Sequence, residues 1–185
     1  QAGPTKIYVR LPDNVASGAR LPVLYLLPVE ANDEQRWGDP LAEAAKLDLA
    51  NKLNVIVAYP TFSHLPWYCD HQTDTGIRQE TYFLKVVVPF IERAYLARAE
   101  RDARLLLGFS KSGWGAWSLL LRNPEAFGKA AAWDSPMMME KGLYGMAAIA
   151  GTQENFERYR IPTLLRERGK SLGSEPRLLL MGYDN

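Results

Sequence analysis

Ser110 is the residue whose setting most resembles reactive chemistry. A short apolar run, Leu105 to Leu107, stops at Gly108, a serine follows two positions later, and small residues recur at Ser112, Gly113, Gly115 and Ala116. A serine hydroxyl attacks a carbonyl only if it stands clear of the chain that carries it. That requires a strand turning sharply into a helix, with small neighbours where the strained turn packs closely. The pattern departs from G-x-S-x-G at its last position, where Ser112 adds a hydroxymethyl group. The plainer alternative is a strand, a serine N-cap and a helix, since serine is a favoured cap. Other chemistry-bearing residues are few: His64 and His71 both precede Ser110, and Asp134 and Asp184 follow it.

The elements that must position these residues alternate. Lys6 to Leu11 and Pro22 to Leu27 read as early strands around a turn containing Asp13, Asn14 and Gly18. Leu41 to Leu53 repeats Leu41, Ala44, Ala45, Leu49 and Leu53 with a helical period, and Asn54 to Tyr59 reads as a buried strand. Thr61 to Gly76 is a long loop with both histidines, and Ile77 to Tyr95 is a helix expected to kink at Pro89. Arg104 to Leu107 enters the turn at Ser110, and the helix beyond it ends near Arg122 before Asn123 and Pro124. Lys129 to Trp133 and Arg177 to Met181 are further strands, with amphipathic pieces at Glu154 to Arg158 and Thr163 to Arg168 between them. Strands alternating with crossover helices predict a mainly parallel sheet in a three-layer α/β/α sandwich, with the active site at the carboxyl ends of the strands.

Composition narrows the partners. With 185 residues and 47% hydrophobic side chains, residues 1–185 suit one domain with a substantial core. Lys and Arg number 22 against 21 Asp and Glu, which provides no field to attract nucleic acid. No apolar run approaches the roughly 20 residues of a membrane span, so a soluble protein without a membrane partner is expected. The chain neither specifies cytoplasmic residence nor excludes export after signal removal. Cys69 is alone, and two histidines seven apart with Asp70 between them match no common ligand spacing; neither metal nor cofactor is expected.

The run from Gly108 to Ala116, with Leu24 to Leu27 before it and Glu80 to Leu84 between, resembles the esterase family of α/β-hydrolases that includes esterase D, feruloyl esterases and the antigen 85 mycolyltransferases. The resemblance extends from about Lys6 to Asp184, and the loop from Tyr59-Pro60 to Trp67, Tyr68 and Asp70 also matches. It implies an α/β-hydrolase fold and a serine ester hydrolase, of carboxyl, carbohydrate or feruloyl ester type, working through an acyl-Ser110 intermediate. One oxyanion amide is then the N–H of Lys111, and the other lies at Glu30 or Ala31. Asp184 is the implied triad acid, because its strand carries the acid in relatives, with Asp134 the alternative. Lys111 could act as a base, but a solvated surface lysine is the simpler reading. Trp67 and Trp114, with Trp37, Tyr68 and Trp133, are candidates to stack on a sugar or phenolic group, although core packing is the commoner role for such residues.

The triad order of this fold is serine, acid, histidine, yet no histidine follows Ser110. The expectation is a C-terminally truncated chain, lacking the catalytic histidine together with a last strand and helix, whose exposed sheet edge invites self-association. His71 or His64 swinging over the strand ends is the alternative base. Two other readings use the same fold: a catalytically degenerate binding module and an acyltransferase. Residues 1–185 are therefore expected to hydrolyse short p-nitrophenyl esters very poorly, by a factor on the order of 10⁴ to 10⁶ relative to a chain including a downstream histidine. Robust Ser110-dependent turnover by residues 1–185 alone would refute this, and its loss in His71→Ala would identify the loop histidine as the base.

Overall fold

A computed structural model describes residues 3–182. Six strands form one sheet in the order β1-β3-β2-β4-β5-β6: β1 (Ile7–Arg10), β2 (Val23–Leu27), β3 (Ile56–Pro60), β4 (Arg104–Phe109), β5 (Lys129–Trp133) and β6 (Leu178–Met181). Only β1 runs antiparallel to its neighbour, β3; the other pairs are parallel. All five residues of β2 are buried because helices cover both faces of the sheet there. Val23, Tyr25 and Leu27 face a core with Phe83, Ile91 and Leu119, while Leu24 and Leu26 face a second core with Ala44 and Ala50. This is the expected three-layer arrangement.

The helical period over Leu41 to Leu53 divides into α1 (Pro40–Lys46) and α2 (Leu49–Leu53). Asp39 caps α1 by accepting from the N–H groups of Leu41 and Ala42. Asp48 breaks the run by taking a left-handed conformation, φ 54°, and its carboxylate accepts from the Asn51 side chain. Asn54 is also left-handed at the end of α2, so β3 starts at Ile56 and not Asn54. The next helix forms as α3 (Gln79–Tyr82), a π-helical turn (Phe83–Val87) and α4 (Val88–Ala94). Pro89 has no N–H to give to the preceding turn, and the helix widens immediately before it.

Beyond β4 come α5 (Lys111–Arg122) and, after β5, α6 (Met146–Ala150), α7 (Gln153–Glu157) and α8 (Ile161–Arg168). The sequence period does not disclose α6, which has five residues between Gly145 and Gly151. Its Met146, Ile149 and Ala150 pack with Trp67, Trp114 and Phe156 in a third core. Leu179, Leu180 and Met181 of the edge strand β6 are exposed. No helix among the described residues is long and apolar enough to cross a membrane.

An ionic cluster holds the carboxyl end of α5. Arg122 bonds both carboxylate oxygens of Glu80, from α3, and its guanidinium lies 4.0 Å over the ring of Tyr159, whose hydroxyl also reaches Glu80. Removing one member of such a pair strands the other charge away from water. Arg122→Met is expected to lower unfolding free energy by about 3 kcal/mol in urea titrations, and an unchanged midpoint would show the pair to be dispensable.

Candidate active site

β4 delivers Gly108 and Phe109 to the carboxyl edge of the sheet, and Ser110 occupies the turn into α5 at φ 50°, ψ −122°. Non-glycine residues avoid positive φ because Cβ crowds the carbonyl, so the surrounding contacts must hold Ser110 there. Its N–H donates to the Trp133 carbonyl at 3.0 Å, and its carbonyl accepts from Gly113 N–H, Trp114 N–H and the Ser135 hydroxyl. The backbone of Ser110 is thus committed on both sides, leaving the side chain to project into the cavity it lines.

The turn closes so tightly that a Cβ on Gly108 would run into the Ser112 carbonyl. Ser112, where the motif usually has glycine, is buried; its hydroxyl accepts from Phe109 N–H and donates to the Phe109 carbonyl, both at 2.9 Å. The extra hydroxymethyl group folds back onto the turn and bonds it. Lys111 is the first residue of α5, so its N–H has no intrahelical acceptor and lies at the positive end of the helix dipole.

The Lys111 side chain is not the solvated surface lysine expected from sequence. Its Nζ lies 3.6 Å from Glu30 Oε1, and the two side chains are only 14% and 13% exposed. Glu30 sits on the loop after β2, which is tied down on either side: the Tyr68 hydroxyl donates to the Pro28 carbonyl at 2.7 Å and Asn32 N–H to the Phe62 carbonyl at 2.6 Å. Nearby, burial pushes the Tyr59 hydroxyl up to about 12, and Asp39, Asp33, Tyr8 and Glu30 add to the shift.

Val29, Trp37, Ser110, Lys111, Asp134 and Tyr144 help to line a cavity of about 500 Å³. Asp134, at φ 46° beyond β5, is thereby brought to the same cavity as Ser110. Asp184 lies outside the described residues. The histidines are elsewhere: His71 Nδ1 accepts from Thr73 and Asp74 N–H groups, His64 Nδ1 is 3.2 Å from the Ser63 hydroxyl, and neither ring lines the cavity. A mostly apolar hollow of about 290 Å³ adjoins the cavity, sharing Val29, Trp37 and Phe109.

Trp67 and Trp114 are not at this surface. Both are fully buried and pack edge to face, ring centroids 5.5 Å apart, because a β-loop residue and a helix residue meet in the third core. That corrects the expectation that they contact a ligand. The aromatics that do line the cavity and present themselves to solvent are Trp37, 61% exposed, and Tyr144, 67% exposed. Sequence reasoning passed over Tyr144. Its one local signal is the adjoining glycine: Tyr144 and Gly145 both take positive φ, and the Tyr144 carbonyl accepts from Trp67 Nε1. Among the described residues no cluster of three or more His, Cys, Asp or Glu could hold a metal ion.

If the tight turn holds Ser110 in place, Gly108→Ala should destabilise the domain by about 2 kcal/mol through backbone overpacking. Ser112→Ala should cost about 1 kcal/mol through its lost hydrogen bonds. Denaturant titration checks both, and equal stability of Gly108→Ala and the parent would contradict the packing argument.

Comparison with known proteins agrees with this architecture. The Esterase family model, described as "Putative esterase", matches residues 2–168. Esterase Rv1288 of Mycobacterium tuberculosis is 30% identical over 139 residues, which is 73% of this chain and 30% of that protein. The chain thus spans about three-tenths of the length of the curated relatives it matches. The S-formylglutathione hydrolase FrmB of Staphylococcus aureus superimposes with a TM-score of 0.70 at 19% identity, covering 96% of this chain and 73% of that one. A ferulic acid esterase superimposes with a TM-score of 0.62 at 20% identity, covering 97% and 92%. The fold is that of the α/β-hydrolases, as the elbow and the alternating elements imply.

Proposed function

The chain belongs to the Esterase family, and on that premise we propose that it hydrolyses carboxylic esters through an acyl-enzyme on Ser110. The observation that carries this reading is the positive φ of Ser110 at the carboxyl end of a central parallel strand, facing a cavity. In the proposed reaction the Ser110 oxygen attacks the ester carbonyl carbon while its proton passes to a base. The carbonyl oxygen becomes an oxyanion, received by the N–H of Lys111 and by an amide at Glu30 or Ala31. Collapse of the tetrahedral intermediate expels the alcohol, and water repeats the sequence on the acyl-serine.

In this proposal Asp134 and Asp184 remain the two candidate acids. His64 and His71 are both held by Nδ1 contacts within the loop after β3, and neither lines the cavity. Trp37 and Tyr144 offer flat apolar faces at the cavity mouth, which supports an ester bearing a ring, either aromatic or sugar. The adjoining apolar hollow suits the hydrocarbon part of the acyl group.

A fluorophosphonate probe applied to the full natural protein tests the nucleophile. The adduct is expected on the peptide containing Ser110 and to vanish in Ser110→Ala; labelling that survives this substitution would refute the proposal. With an aryl ester, Trp37→Ala is expected to raise KM several-fold with little change in kcat, as loss of uniform binding does.

A further inference from the structure

The strand register places two chain segments side by side at the reacting centre. Leu27, the last residue of β2, pairs with Gly108 of β4. Three residues beyond Leu27 stands Glu30, and three beyond Gly108 stands Lys111. These segments carry the two amides expected to face an oxyanion, and their side chains meet in the 3.6 Å ion pair. We propose that Glu30 and Lys111 are positioning residues whose ion pair fixes the separation and aim of the two oxyanion amides. This rests on the reading of Ser110 as nucleophile.

The need for such a link follows from what holds each side. Lys111 is fixed by α5, which is anchored at one end by the turn around Ser110 and at the other by Arg122 on Glu80. The loop after β2 is fixed at Pro28 by Tyr68 and at Asn32 by Phe62, both from the segment after β3. Residues Val29 to Ala31 span the gap between these ties. Among the described residues, the Glu30–Lys111 pair is the one ion pair or side-chain hydrogen bond joining that span to the elbow. Preorganised donors stabilise an oxyanion only when aimed at it beforehand, and a displacement of about 1 Å can cost on the order of 10²-fold in rate. Partial burial strengthens the pair and also makes either partner alone unwelcome there, Lys111 in the wall of the cavity and Glu30 in that of the adjoining hollow. In this proposal Lys111 acts by position, its Nζ set against Glu30.

The test compares Lys111→Met, Glu30→Gln, their combination, and Lys111→Arg in the full natural protein, each checked for folding by thermal unfolding. One readout is the rate of fluorophosphonate labelling at Ser110; the other, which needs no chemistry, is amide hydrogen exchange over residues 29–32. Each single neutralising variant is expected to label about 10-fold more slowly and to exchange faster over that span. The combination should be no worse than the worse single, because a lone buried charge is then avoided, and Lys111→Arg should keep both readouts near the parent. A folded Lys111→Met that labels at the parental rate, or that leaves exchange over 29–32 unchanged, would overturn the proposal. Failure of the unsubstituted protein to label at Ser110 would instead refute the acyl-enzyme reading, and the exchange measurement would still uphold or overturn the ion pair as the tether of this loop.

Discussion

The rest of the molecule is arranged around a contact without room for a side chain, where Gly108 of β4 meets the Ser112 carbonyl in the first turn of α5. That approach goes with the positive φ of Ser110, which lines the cavity at the end of the sheet. It also brings α5 close to the sheet along its first turns. A Cβ at Gly113 would press on the methyl of Ala132, and one at Gly115 would strike the Tyr68 ring. Ala132 of β5 is therefore part of the same constraint: a larger residue there would press on α5 at Gly113.

Strain at one end of a helix persists only when the remainder is over-determined. For α5 that role falls to polar groups buried at its far end. Arg122 binds Glu80 and stacks on Tyr159, while Arg177 donates to the carbonyls of Pro124, Phe127 and Gly128 just beyond the helix. Such charges gain little net energy once their desolvation is counted, but their directional bonds join α3, α5 and the chain near Tyr159.

The cavity wall is assembled from chain ends that this framework brings together. The loop after β2 contributes Val29 and Trp37, the elbow contributes Ser110 and Lys111, and the chain after β5 contributes Asp134 and Tyr144. All three leave the carboxyl edge of neighbouring parallel strands, where crossover connections necessarily open a crevice. The Glu30–Lys111 pair spans two of these three segments.

Much of this was legible in the chain because it is written in local patterns. The apolar run ending at Gly108, followed by small residues, pointed to the sharp strand-to-helix turn found at Ser110, and the strand from Lys129 to Trp133 was read with its observed bounds. Helix breaks were less legible: Asp48 and Asn54 leave helical geometry through side-chain and turn preferences that a hydrophobic period averages away. What no window of sequence could decide is which distant residues share an environment. Trp67 and Trp114, 47 positions apart, bury each other because a loop folds onto α5; Trp37 and Tyr144, chemically alike, stay exposed at the cavity. Lys111 reads as a surface lysine until β2 and β4 pair and bring Glu30 beside it. Periodicity is a property of neighbours along the chain, whereas burial and ion pairing depend on sheet register and layer packing, which exist only once the tertiary structure has formed.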